Sequence, residues 1–250
     1  AMEKIKKEFP QSDVSYIQLD LNSLNSVKSF VKEFKKTHQH LDLLINNAGI
    51  MVPPFSKTED GFESQMGVNY FSHFLLTGLL MTELNAADKA RVISLSSIAH
   101  KSGKINFDNL NSEQKHSKMA AYSQSKLACL MFAYELDRKL KKSGSKVISV
   151  AAHPGASPTN LMKYLPSFAI NVLMPLVKPL LNSPQAAALP SLMAAMDPIT
   201  KGGDYFGPTG FGEMSGKPAL AKAKPHAYDE AVAKKLWETS EELVNFKFKL

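Results

Sequence analysis

The chain has 250 residues, enough for one α/β domain with a core that needs no disulfides; its single cysteine, Cys129, excludes an intrachain disulfide framework and points to a reducing compartment. Hydrophobic residues at 44% and charged residues at 21% exclude a wholly disordered chain, and the cysteine and histidines are too dispersed for a zinc-finger pattern. Thirty Lys+Arg against 23 Asp+Glu leave +7, but the basic residues fall at helical spacings among acidic neighbours, as in Lys32/Lys35/Lys36 and Arg138/Lys139/Lys141/Lys142, so the charge reads as solvated helix faces rather than a nucleic-acid surface.

Met2–Phe9 reads as the end of an amphipathic helix stopped by Pro10, and the polar, charged first thirty residues carry no secretory signal. Val14–Asp20 alternates and is rich in strand formers, which predicts a β-strand. Asp20, Asn22 and Ser23 offer N-caps for an amphipathic helix over Ser26–Lys36. Leu41–Asn46, apolar but for Asp42, reads as a buried parallel strand and ends in the turn Asn47-Ala48-Gly49. Asp60–Leu84 predicts one long helix, Arg91–Ser97 a buried strand, Ala120–Lys142 a helix and Lys146–Ala152 a strand.

A long loop with an apolar helix is expected from Pro154 to about Leu181. Its apolar tract, Leu165–Leu181, is interrupted by Pro166, Pro175, Lys178 and Pro179 and is shorter than the ~20 residues of a membrane span, so it reads as a lid or interfacial segment. Ser183–Met196 is a helix with Pro184 in its first turn, Asp204–Pro208 a last short strand, and Ala227–Asn245 a helix.

Strands alternating with helices predict a single α/β domain over residues 1–250, a parallel sheet covered on both faces. In such sheets ligands bind beyond the carboxyl ends of the strands, where Asp20, Asn46–Gly49, Ser96/Ser97 and His153–Gly155 all fall.

Tyr122 and Lys126, four apart in Tyr-Ser-Gln-Ser-Lys, share one helix face. A cation beside a phenol favours phenolate, which makes tyrosine a usable acid/base near neutral pH. Ser97, at the end of a buried strand, can hold a substrate oxygen. Alone, such a Tyr/Lys pair reads as an ordinary helix surface pair. Here it follows LLINNAG (Leu43–Gly49), GVNYFSHF (Gly67–Phe74) and RVISLSS (Arg91–Ser97), and precedes HPG (His153–Gly155) with Thr159 beyond.

In order and spacing these five motifs resemble the short-chain dehydrogenase/reductase family over nearly the whole chain. The spacer opening SSIAHKSGKINFDNL, with SKLACLMFAYEL, resembles its retinol dehydrogenase and WW-domain-oxidoreductase branch. The resemblance implies a Rossmann-like doubly wound sheet and hydride transfer between NAD(P) and a lipophilic alcohol or carbonyl, such as a retinoid, steroid or aldehyde. It makes Tyr122 the catalytic acid/base, Lys126 the lysine that lowers that pKa and holds the nicotinamide ribose, Ser97 the residue that positions the carbonyl, and Asn69 the organiser of a water-linked proton relay. Asp20 and Leu21 match the pair beside the adenine; Asn47, Ala48 and Gly49 match the turn against the cofactor; Pro154, Gly155 and Thr159 match the segment around the carboxamide. NADP is expected ahead of NAD from the branch, together with a homodimer through the helices at Asp60–Leu84 and Ala120–Lys142. A cytoplasmic protein with peripheral membrane contact through Leu161–Leu181 is expected, with no metal and no nucleic acid.

Read without the family, Asp20 and Asn69 are caps or core hydrogen-bonders, Asn47–Gly49 a structural turn and Ser96 a structural serine. His100, His116 and His153 are surface or loop residues, Cys129 is core, and Met162 and Met174 belong to a core or lid. The family pattern also opens with a strand and a glycine-rich turn, TGxxxGxG, whose N–H groups bind the pyrophosphate. This sequence has no such segment, and Gly210–Gly216 reads as a C-terminal loop instead. The expected sheet therefore lacks the first two strands of the family pattern. The expectation is an N-terminally trimmed copy of an enzyme; the alternatives are a natural fragment, a chain completed by a partner, or a non-catalytic scaffold relative that binds no cofactor.

Overall fold

Two buried apolar runs, β2 (Arg91–Leu95) and β3 (Ile148–Ala152), make the centre of the sheet in this computed structural model, which describes residues 2–114, 116–157 and 181–250. β1 (Leu43–Asn46) lies parallel to β2, and β4 (Tyr205–Pro208) parallel to β3. A short antiparallel strand, β5 (Pro218–Leu220), completes the order β1-β2-β3-β4-β5. The register pairs Asn46 with Ser94 and Leu95 with Ala152. The segments Asn47–Gly49, Ser96–Ser97 and His153–Gly155 therefore leave the sheet along one rim.

Helices cover both faces. On one lie α2 (Leu24–Thr37), α4 (Ser72–Leu79), the 26-residue α6 (Lys118–Ser143) and α8 (Glu230–Leu243), around Phe74, Phe132, Leu136 and Trp237. On the other, α7 (Pro184–Met196) places Ala194 and Ala195 over Ile93, Val150 and Phe206. Ser117 caps α6 through a bond from the Ala120 N–H, and left-handed Gly144 ends it. α1 (Met2–Glu8) stands at the start and buries nothing.

The structure departs from the sequence reading in three places. Val14–Asp20 is not a strand: no strand lies beside it among the described residues, so its alternation has no ladder to join and Tyr16 faces solvent. The outer edge of β1 is likewise unpaired there, with Ile45 40% exposed. The long helix begins at Ser64, not Asp60, because the Asp60 carboxylate instead accepts the Leu24 N–H at 2.8 Å and serves α2, whose own N-cap Ser23 makes no side-chain bond. From there the helix runs as α3 (Ser64–Met66), a π-helical turn (Gly67–Phe71), α4, and α5 (Met81–Asn85). β5 was not anticipated because three residues starting with a proline carry almost no strand signal; an edge position tolerates that proline. Gly210–Gly216 is the β4–β5 connection. Thr159 and the expected apolar lid, with Met162 and Met174, lie outside the described residues. Among the described residues no helix is long and apolar enough to cross a membrane.

Candidate active site

Asn69 sits in the middle of the π-helical turn, where the Ser72 N–H reaches back five residues to the Gly67 carbonyl. Its buried amide brackets Ile50, accepting that residue's N–H at 2.8 Å and donating to its carbonyl at 3.0 Å. A second donation, 3.0 Å to Ser125 Oγ, ties the segment after β1 to α6. Ser125 Oγ in turn donates to the Tyr122 carbonyl at 2.8 Å. The Asn69 carbonyl is held by His73 Nδ1 at 3.0 Å and Cys129 Sγ at 3.1 Å.

Tyr122 and Lys126 occupy one face of α6, 5% and 6% exposed. Among the described residues the Tyr122 hydroxyl has no protein partner within hydrogen-bond reach, and Lys126 Nζ stands 6.0 Å from the ring centroid. Nζ donates to the Leu95 carbonyl at 3.0 Å, and Ser96 Oγ donates to the Lys126 carbonyl at 2.8 Å. The end of β2 thus grips the lysine by both its tip and its backbone. Ser97 follows at once, half-buried, and caps the 3-10 turn Ile98–Ser102 by accepting the Ala99 N–H at 3.2 Å. That turn is docked beside Tyr122 through Ser102 Oγ, 3.2 Å from Ser123 Oγ.

Asn69 is therefore linked through Ser125 to the Tyr122 backbone, Lys126 is tied to the end of β2 from which Ser97 emerges, and Gly49 lies beside both Asn69 and Lys126. A Cβ on Gly49 would stand 3.0 Å from Asn69 Oδ1 and 3.4 Å from Lys126 Nζ. Asn47 and Ala48 are exposed just before it. Across the rim, Gly155 has φ 73°, and a Cβ there would meet the Met214 carbonyl at 2.4 Å; the Pro154 carbonyl accepts from Asn182 Nδ2 at 3.1 Å. Asp20 and Leu21 make no bond to this network among the described residues. Asp20 Oδ1 accepts the Asn22 N–H at 2.9 Å in a local turn, and Leu21 points into the core while its carbonyl accepts from Ser72 Oγ at 2.7 Å.

His100 and His153, expected at the surface or in loops, lie in a turn and a loop but are completely buried. His116 is half-buried against Phe55. Burial pushes His73 and His153 down to about 4 and lowers His100 as well, so all three are poor proton acceptors at neutral pH. Cys129 is core, and burial raises its thiol. Sequence reasoning missed Ser125 and Glu213. Ser125 was within reach, since it stands three residues from Tyr122 on the same helix face; Glu213 gave no local signal.

The residues present fit the ribose end of a nicotinamide cofactor. Lys126 carries three N–H donors and spends one on Leu95 among the described residues, and a side chain at Gly49 would crowd Nζ. Among the described residues no glycine-rich turn closes a strand and opens a helix, so the pyrophosphate end finds no backbone cradle in them. No group of three metal-ligating side chains occurs among them.

The sequence pattern of the short chain dehydrogenase family matches residues 1–168, which include the β1 turn, Asn69, Ser97, Tyr122, Lys126 and the His153–Gly155 turn. The chain belongs to this family of oxidoreductases. Its place is on the retinol-dehydrogenase-like branch. It is 43% identical over 237 residues to retinol dehydrogenase 14 of Homo sapiens, covering 91% of this chain and 66% of that protein. It is 41% identical over 254 residues to retinol dehydrogenase 13 of Homo sapiens, covering 99% and 73%. The chain thus spans about two thirds to three quarters of these relatives. A crystal structure of an uncharacterized protein from Mycobacterium Paratuberculosis superposes with a TM-score of 0.79 at 36% identity, over 99% of this chain and 82% of that one. NADPH-bound carbonyl reductase from chicken fatty liver shares the fold, with a TM-score of 0.56 at 21% identity over 82% of this chain and 77% of that one.

Proposed function

We propose that this chain transfers a hydride between NAD(P) and a lipophilic alcohol or carbonyl of retinoid-like character, with Tyr122 as the acid/base. The observation that carries this reading is the Tyr122 phenol, free of protein partners among the described residues, beside a buried ammonium with two unspent donors. The names of relatives at 41–43% identity support the substrate class.

When bound, the nicotinamide supplies or takes the hydride. The chain's own residues do the rest. Ser97 Oγ holds the substrate oxygen. In reduction Tyr122 gives its proton to the oxygen as the carbon gains hydride; in oxidation it takes the proton back. Lys126, fixed by the Leu95 carbonyl, holds the ribose hydroxyls and keeps positive charge near Tyr122. Asn69 holds Ile50 and Ser125 so that the β1 turn and α6 keep their spacing. Pro154, Gly155 and Thr159 are assigned to the carboxamide end, and Asp20 and Leu21 to the adenine end.

A titration with NADPH and then NADH, read by reduced-nicotinamide fluorescence, tests the reading and the preference for NADP. Saturable micromolar binding followed by turnover of a retinoid aldehyde supports it. No binding of either cofactor overturns it in favour of a non-catalytic relative. A homodimer and a membrane-surface contact through Leu161–Leu181 belong to the same reading; light scattering and liposome co-sedimentation test them.

A further inference from the structure

Glu213 lies in the β4–β5 connection, directly after left-handed Gly212, and itself has φ 59°, a conformation that disfavours any residue with a Cβ. Its carboxylate meets two other segments there, an ion pair with one and a close polar contact with the other. Oε2 is 2.8 Å from Lys101 Nζ, in the 3-10 turn that Ser97 caps, and 3.5 Å from His153 Nε2, at the head of the His153–Gly155 turn. The His153 tautomer follows from its other nitrogen. Nδ1 accepts the Gly155 N–H at 3.3 Å, which leaves the hydrogen on Nε2; Nε2 lies 3.5 Å from Glu213 Oε2, a close polar contact outside hydrogen-bond geometry.

The surroundings hold this arrangement in place. His153 is wholly buried, and its ring packs directly on Gly207, where any Cβ would overlap Nε2. The Tyr205 ring packs between the two histidines, 5.2 Å from His153 and 5.7 Å from His100. His100 Nδ1 donates to the Ser97 carbonyl at 2.7 Å. The next residue, Met214, accepts the Ala156 N–H at 2.8 Å.

We infer that Glu213 is a positioning residue, a brace whose single carboxylate sets the distance between the turn that carries Ser97 and the turn that carries Gly155. The consequence for turnover rests on the dehydrogenase reading, in which Ser97 holds the substrate and the Gly155 turn lies at the nicotinamide. An error of about an ångström between those turns lowers the rate of hydride transfer without weakening binding of either reactant.

The experiment uses the full chain and has two arms. Deuterium uptake is followed over residues 96–103 and 153–157 in the wild type, Glu213→Ala, Lys101→Met and Lys101→Arg. Alanine meets the same left-handed strain as glutamate, so the first variant removes the carboxylate alone. Exchange at both turns is expected to speed up about tenfold in Glu213→Ala. In Lys101→Met it rises at 96–103 only, and in Lys101→Arg it stays at wild-type rates. Uptake in Glu213→Ala that changes only within 210–216, or at one turn and not the other, overturns the brace whether or not the chain is active. In the kinetic arm, Glu213→Ala lowers kcat about tenfold while both KM values stay within about twofold, and Lys101→Arg keeps the wild-type kcat. An unchanged kcat in a variant that turns over overturns the positioning role. Failure of the dehydrogenase reading is seen separately, as a wild type that binds neither cofactor while the exchange arm still decides the brace.

Discussion

The Asn69 side-chain amide donates to Ser125 Oγ at 3.0 Å, across the gap between the π-helical turn and α6. It joins the helix that carries Tyr122 to the segment after β1, and every lone pair and N–H it uses is buried. Asn69→Ala would leave the Ile50 N–H and carbonyl without their partner. Each unpaired buried group costs about 1–3 kcal/mol. The expected result is a loss of about 2–4 kcal/mol in urea unfolding, with a Tm lower by several degrees. A Tm within a degree of wild type would show that the bracket around Ile50 holds nothing.

Tyr122→Phe removes an oxygen that has no protein partner among the described residues. The fold should therefore be unmoved, with unfolding free energy within about 1 kcal/mol of wild type. Turnover should fall by about 10²–10⁴-fold, the range for losing a positioned general acid. Retained turnover in a folded variant would remove Tyr122 from the chemistry.

Lys126→Ala deletes the donor to the Leu95 carbonyl along with the two N–H groups that have no partner among the described residues. Both kcat and cofactor affinity should drop, the Kd for reduced nicotinamide rising about tenfold or more. A drop in kcat with an unmoved Kd would leave the lysine an electrostatic role and remove the ribose-holding one.

Acid should destabilise the protein early. His73 and His153 titrate near 4 when folded, because burial disfavours their charged forms, against 6.5 in an unfolded chain. The unfolded state thus takes up protons first as pH falls. Stability is full above about 6.5, declines between 6.5 and 4, and levels below 4 for these two groups, each removing up to about 3 kcal/mol. Urea midpoints at pH 7.5 and pH 4.5 read this directly. His73→Gln should flatten part of the slope, and an undiminished slope in that variant would mean that other groups drive it.

Much of the fold was legible because period and burial agree in it. The β2 and β3 runs are apolar enough to be central strands, and the helix read at Ala120–Lys142 is α6 to within two residues at each end. Val14–Asp20 misled because strand propensity describes only half of a pairing, and the other half must be supplied by a neighbour. Asp60 misled because a helix-capping carboxylate can serve a helix 36 residues away. Tyr122, Lys126, Asn69 and Ser97 were named from ordered motifs; Asn69 is linked to the Tyr122 backbone through Ser125, and Lys126 is tied to the strand end from which Ser97 emerges, while their catalytic roles are what the variants above decide. His100 and His153 lie in a turn and a loop, as read, but their burial was not legible because a polar side chain in such a segment reads as exposed. What buries His100 and His153 is Tyr205 and the β4–β5 loop, both far along the chain.

One end of one strand serves as the datum for two functional groups. Leu95 anchors the Lys126 ammonium through its carbonyl, and Ser97 emerges two residues later from the same backbone. A shift of α6 that misplaced the lysine would have to break its bond to a backbone already committed to the parallel ladders on either side. Warming this protein should therefore leave the spacing of ammonium and serine unchanged until the ladder itself gives way, so loss of the site coincides with cooperative melting of the sheet rather than preceding it as a gradual loosening.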